Sequence, residues 1–150
     1  MKRATLPRMS LGVAVVVAAL ANARDLPYGA LDEPGLQRCD TQHWSGQRAA
    51  AATCYRALLG SAQPQIRAEA AWALGDFRSA NDWFGQAARA RDADAMVRVR
   101  WGELFIDTHQ DDEAFKLFQE ALQRDAGNAW ARVGAASVLI GRYSKEASGH

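Results

Sequence analysis

Three histidines, two cysteines, a run of three acids and five tryptophans are the residues with which this chain could do chemistry. His43, His109 and His150 stand far apart. No His-Glu-x-x-His and no Cys-x-x-Cys occurs, so the ligand spacings that would build a metal centre, a redox pair or an attached haem are missing. No serine lies in a Gly-x-Ser-x-Gly elbow, and no Gly-x4-Gly-Lys-Ser/Thr loop is present to cradle phosphate. Asp111-Asp112-Glu113 could suggest a cation site. Three acids opening a helix more simply answer its dipole. The sequence therefore predicts no catalysis by this chain, no cofactor and no metal.

The opening segment, 1–23, alters how the rest is read. Lys2, Arg3 and Arg8 precede an apolar run over 9–21, and Ala21-Asn22-Ala23 offers a small-x-small site: the parts of a secretory signal peptide. An uncleaved anchor or a buried core helix is the alternative, but the apolar run is short for a bilayer. The expectation is export to a periplasmic or extracellular space, with no membrane span left after cleavage. The whole chain has 18 basic and 17 acidic residues. Removing the leader takes three bases and no acid, so 15 bases face 17 acids, a net of −2. No basic field remains to attract nucleic acid. In an oxidising space Cys39 and Cys54 become candidates for a disulfide, worth about 3 kcal/mol for a loop of that size. A metal pair or two free thiols are the competing readings.

Alanine fills 31 of the 150 positions, and only seven valines and isoleucines follow Ala23. β-Branched strand formers are scarce, so helices packed through small side chains are expected. The stretch 24–45, with Pro27, Gly29, Pro34 and Gly35, reads as an irregular lead-in. From Gly46 onward helices are predicted over 47–59, 64–74, 78–90, 95–108, 112–124, 129–140 and 144–150. Gly60, Gly75, Gly127 and Gly141 fall at the breaks.

Repetition is the strongest signal. Ala80, Phe84 and Ala87 recur as Ala114, Phe118 and Ala121, all three at one common offset. Each triplet has the spacing Ala-x3-Phe-x2-Ala, which lies on one helix face and can form the seam of a hairpin. Trp101-Gly102-x2-Phe105 supplies the partner helix, and Trp130-x2-Val133-Gly134 restates it. The step from Gly102 to Gly134 falls two short of that offset, so the connection after Asp125 is expected to be trimmed. Ala50, Cys54 and Ala57 sketch an earlier half-unit.

The helix–turn–helix period from Ala80 to Ala114 resembles the 34-residue tetratricopeptide repeat (TPR), and 98–125 is similar to a complete unit. His109 stands where that family commonly has a turn glycine. Ala87-Ala88 with Asp92-Ala93-Asp94-Ala95 also resembles Sel1-like repeats, a subtype alternative. The resemblance implies an all-α solenoid of about three antiparallel hairpins, truncated at its C-terminus, with Gly141-Arg142-Tyr143 as one more turn. It implies a protein or peptide partner held on the concave face of the first helices. On that face it places Gln65, Glu69 and Trp72, then Met96, Val99, Arg100, Glu103, Ile106 and Asp107, and finally Ala131, Arg132, Ala135 and Val138. Arg100 and Arg132 would hold the same position in successive units and reach one carboxylate, unless they are solvated and paired with Glu103 and Asp107. The lysine–asparagine clamp that grips chaperone tails in some relatives is missing, with Val99 and Glu103 in its places. Two further readings are the N-terminal array of a larger exported hydrolase or metallopeptidase, and a scaffold subunit of an envelope assembly. Trp101 and Trp130 are expected in the core, and Trp72 and Trp83 partly buried.

Overall fold

The computed structural model describes residues 33–91 and 93–148; the leader, positions 24–32 of the lead-in and His150 lie outside them. The described residues form seven helices and no strand: α1 Pro34–Trp44, α2 Arg48–Leu58, α3 Pro64–Ala73, α4 Phe77–Ala88, α5 Ala95–Asp107, α6 Asp111–Arg124 and α7 Ala129–Ser148. Consecutive helices pair as α1–α2, α3–α4 and α5–α6, and α7 lies against α6 and α5. This is an all-α solenoid of helical hairpins.

Local chemistry sets the ends. Asp76 and Asp94 cap α4 and α5, their carboxylates accepting from the Ser79 and Met96 amides. This satisfies N–H groups that a helix start leaves orphaned. Gly75 closes α3 at φ 79°, and one period later His109 closes α5 at φ 59°. A side chain there carries steric cost, so the expected glycine place is confirmed by its geometry. The same long-span bond recurs at both turns, Asp76 N–H to the Ala71 carbonyl and Gln110 N–H to the Phe105 carbonyl.

Two expectations fail at segment ends. The stretch 34–44 is helical, not irregular: Pro34 sits in the first turn, where its absent N–H costs nothing, and Glu33 caps the Gly35 amide. At the other end, Gly141 breaks nothing, and α7 runs through it. A lone glycine costs a helix only about 1 kcal/mol. Arg142, just beyond, lies over the Phe115 ring and pairs with Asp112, holding that last stretch to α6.

The core falls into two clusters. Ala68, Ala71, Ala80, Phe84, Ala87, Ala88, Val97 and Leu104 form the first, with Trp72, Trp83 and Trp101 packed against it. Ala95, Val99, Ala114, Phe118, Ala121, Ala131 and Val138 form the second. Both Ala-x3-Phe-x2-Ala triplets are thus buried seams. A Cβ on Gly102 would stand 2.9 Å from the Phe118 ring, and one on Gly134 would be closer still. Phe118 is therefore gripped by two glycines from different helices.

Three packing assignments need correction. The first unit's seam is Ala51-x3-Tyr55-x2-Leu58, with Ala51 and Tyr55 buried, whereas Ala50 and Ala57 are exposed. The register is one position on, because Cys54 turns aside to bond Cys39. Trp130 is not core; 45% of it is exposed. The connection before α7 is two residues shorter than that before α5, as expected, but α6 is two residues longer than α4, so the repeat period holds in full through α7. Val97, Trp101 and Leu104 of α5 pack on the preceding hairpin, and their counterparts Ala131, Ala135 and Val138 do the same from α7. Arg132 is consequently the counterpart of Arg98, not of Arg100.

Cys39 and Cys54 are bridged, with their Cα atoms 5.4 Å apart. The bond joins α1 to α2.

Candidate functional site

Helices α3 and α5 lie one unit apart, which puts Glu69 within reach of Arg100. The guanidinium donates twice to the Glu69 carboxylate, Nε to Oε1 and Nη2 to Oε2, both at 2.7 Å. It donates again to Glu103 one turn along its own helix. Glu69 and Arg100 are both buried, at 8% and 4% exposure. A bidentate pair of this kind orients the guanidinium as well as neutralising it.

Trp72, one turn beyond Glu69, completes the arrangement. Its ring lies 4.7 Å from the Arg100 guanidinium carbon, a cation–π contact, and its indole N–H donates to Asp107 at 3.0 Å. Its other neighbour is the Phe84 ring, edge-on at 6.3 Å. Five sequence-predicted groove residues, Glu69, Trp72, Arg100, Glu103 and Asp107, therefore meet in one network across two hairpins.

The electrostatics are unequal within it. Burial alone would lower the Arg100 pKa; the hydrogen bonds and charge of Glu69, followed by Glu103, outweigh it and hold the group above its ordinary value. Glu103 is pushed up by burial, partly offset by Arg100, with Glu69 and Asp107 adding to the rise. Arg100 is thus committed to its two acids. What this face turns toward solvent is the partly covered Glu103 carboxylate and the exposed Asp107.

The remaining predicted residues go elsewhere. Val99 is fully buried in the second cluster and cannot line a groove, while Ile106 and Met96 are half-buried beside it. Arg132 is exposed and donates to the Ala126 carbonyl, so it does not join Arg100 over one carboxylate. Its counterpart Arg98 likewise donates to a carbonyl near the end of a preceding helix, that of Ala88, and pairs with Glu120. Ala131 and Val138 are core, and Ala135 is packed against it. The spacing of Glu69 and Arg100 carried the missed signal. It is one repeat period less about one helical turn, the offset at which neighbouring first helices touch. Among the described residues no group of three His, Cys, Asp or Glu could hold a metal ion, and no helix is long and apolar enough to cross a membrane.

No protein-family model and no curated protein matches the sequence. The structure is similar to the second TPR domain of the human RPAP3 protein, determined by NMR in complex with the HSP70 peptide SGPTIEEVD. The TM-score is 0.52 and the identity 20%, with 70% of this chain and 92% of that one covered. The fold is TPR-like. Its hairpins coincide with the repeat period, and the network just described bridges two of them on the first-helix face.

Proposed function

We propose that this chain is an exported, non-catalytic interaction module that holds a segment of a partner protein on the α3–α5 face, and that the segment carries a basic side chain. The observation that carries this is the commitment of Arg100 to Glu69 and Glu103, which leaves carboxylates, not a guanidinium, outermost. The peptide bound by the RPAP3 domain is rich in acids. By charge, the face here is suited to the opposite sign. Trp72, partly exposed beside Asp107, offers an apolar surface with a fixed hydrogen-bonding edge, the combination on which binding energy concentrates. The leader-like stretch 1–23 and the Cys39–Cys54 bridge support an oxidising compartment.

The test is a peptide-display selection on the full chain, followed by titration of the enriched peptides. Lys- or Arg-bearing sequences are expected to dominate. Asp107→Arg with Glu103→Gln should weaken them at least tenfold while the circular-dichroism spectrum stays unchanged. Enrichment of acidic peptides, or affinity indifferent to those substitutions, would sink the assignment.

A further inference from the structure

A second surface, independent of the α3–α5 face, lies on α7. Counting by the repeat period, Met96, Val99, Phe105 and Ile106 of α5 correspond to Trp130, Val133, Leu139 and Ile140 of α7. On α5 these residues belong to or pack on the cluster that holds Ala114, Phe118 and Ala121 of α6. On α7 their counterparts are bare. Val99 is 0% exposed and Val133 60%; Ile140 is 67% exposed and Tyr143 76%. The helix-holding face of α5 is thus repeated on α7, and none of the described residues covers it. At about 200 Å² for a large apolar side chain, the exposed parts of Trp130, Val133, Ile140 and Tyr143 amount to about 500 Å². That is toward the upper end for the largest apolar patch of a monomer.

The pattern on this face identifies its occupant. Written along α7, it runs Trp130-x2-Val133-x2-Ala136-Ser137-x2-Ile140-x2-Tyr143, which is symmetric about the bond between Ala136 and Ser137. Two small residues stand at the centre, a branched aliphatic lies one turn away on each side, and an aromatic lies a further turn out. An isologous contact requires a patch complementary to itself under a two-fold rotation. This one is complementary: antiparallel pairing sets each valine against an isoleucine and each tryptophan against a tyrosine. The small centre lets the helix axes approach closely. The Ser137 hydroxyl is already donated to the Val133 carbonyl, so no polar hydrogen is stranded there. The stretch 133–141 carries no charge. Two copies would together remove about 1,000 Å² from water, the size a specific interface needs when its two sides are complementary.

We infer that α7 is the dimerisation helix of this protein, pairing antiparallel with α7 of a second copy about an axis beside Ala136 and Ser137. Sedimentation of the full chain from low micromolar to several hundred micromolar tests it. The mass-average should rise toward twice that of the chain. Val133→Glu with Ile140→Glu, both on exposed positions, should hold it at the single-chain mass with unchanged helicity. Ser137→Cys should form a cross-linked dimer under mild oxidation, and Gln86→Cys, at an exposed position of α4, should not. A wild-type chain that stays single throughout, or a dimer that survives the two glutamates, overturns the inference. So does a dimer that the glutamates dissolve but Ser137→Cys fails to cross-link.

Discussion

In hairpin α5–α6 the Phe118 ring lies against Gly102 of its own unit and also against Gly134 of α7. In hairpin α1–α2 the equivalent seam residue is Tyr55, whose hydroxyl donates to Asp40, and a disulfide joins the helices one position back along each, at Cys39 and Cys54. Helix α1 buries only Leu36 and Cys39. One hairpin is held by shape and the other by a covalent link with a part-buried polar bond. The same fold element thus tolerates different adhesives, chosen by how much apolar surface each helix has to offer. Where burial is thin, a staple replaces it.

The comparison breaks most visibly at Phe118. Phe118→Ala removes a fully buried ring that three helices share, and a cost of about 3–5 kcal/mol is expected from lost burial and the cavity left. Denaturant melts of the full chain measure it. A loss of only about 1 kcal/mol would mean that the glycine cradle collapses around the gap, and that shape is not what holds this end.

Reducing Cys39–Cys54 sharpens the contrast from the other side. A bridge across a sequence separation of 15 contributes about 3 kcal/mol by restricting the unfolded chain. Because α1 contacts chiefly α2, the effect should be local. Amide exchange should quicken in α1 and the start of α2 while α5 and α6 keep their protection. Equal loss of protection in α6 would show that the hairpins unfold as one unit and that the staple serves the whole array.

How far the residues spoke for themselves follows the same divide. The seams at Phe84 and Phe118 are legible from local spacing, the turn place of His109 from the family resemblance, and the bridge between Cys39 and Cys54 from the expectation of an oxidising compartment. Helix α1 was not, since Pro34 and Gly35 read as breakers unless one sees that they occupy a first turn. The candidate site was half legible. The resemblance to tetratricopeptide repeats puts Glu69, Trp72, Arg100, Glu103 and Asp107 on one face, but it puts Val99 there too, whereas burial draws Val99 inward. Arg132 was aligned to Arg100 through Gly134, a glycine that serves the preceding hairpin's ring and so stands two positions out of register. Long-range pairing such as Glu69 with Arg100 depends on how successive hairpins stack, which composition and period do not specify.

The finest distinction between the hairpins is one oxygen atom. Tyr55 takes the seam place that Phe84 and Phe118 hold elsewhere, and a buried phenol needs a partner. Asp40 supplies it. Burial and the adjacent Asp40 both push the Tyr55 phenol above its ordinary pKa, so the group stays protonated and donates across the working pH range. Tyr55→Phe would convert this seam to the type used by the other two, keeping the ring and deleting only the bond. The expected cost is about 1.5–3 kcal/mol, the net worth of one hydrogen bond to a carboxylate after water competes for its partners. It should fall on α1–α2 alone and be the same whether Cys39–Cys54 is intact or reduced, since the ring and the bridge act on different atoms. A larger loss after reduction would make the hydroxyl and the disulfide a coupled pair, and the first hairpin would then depend on a single joint device in place of two.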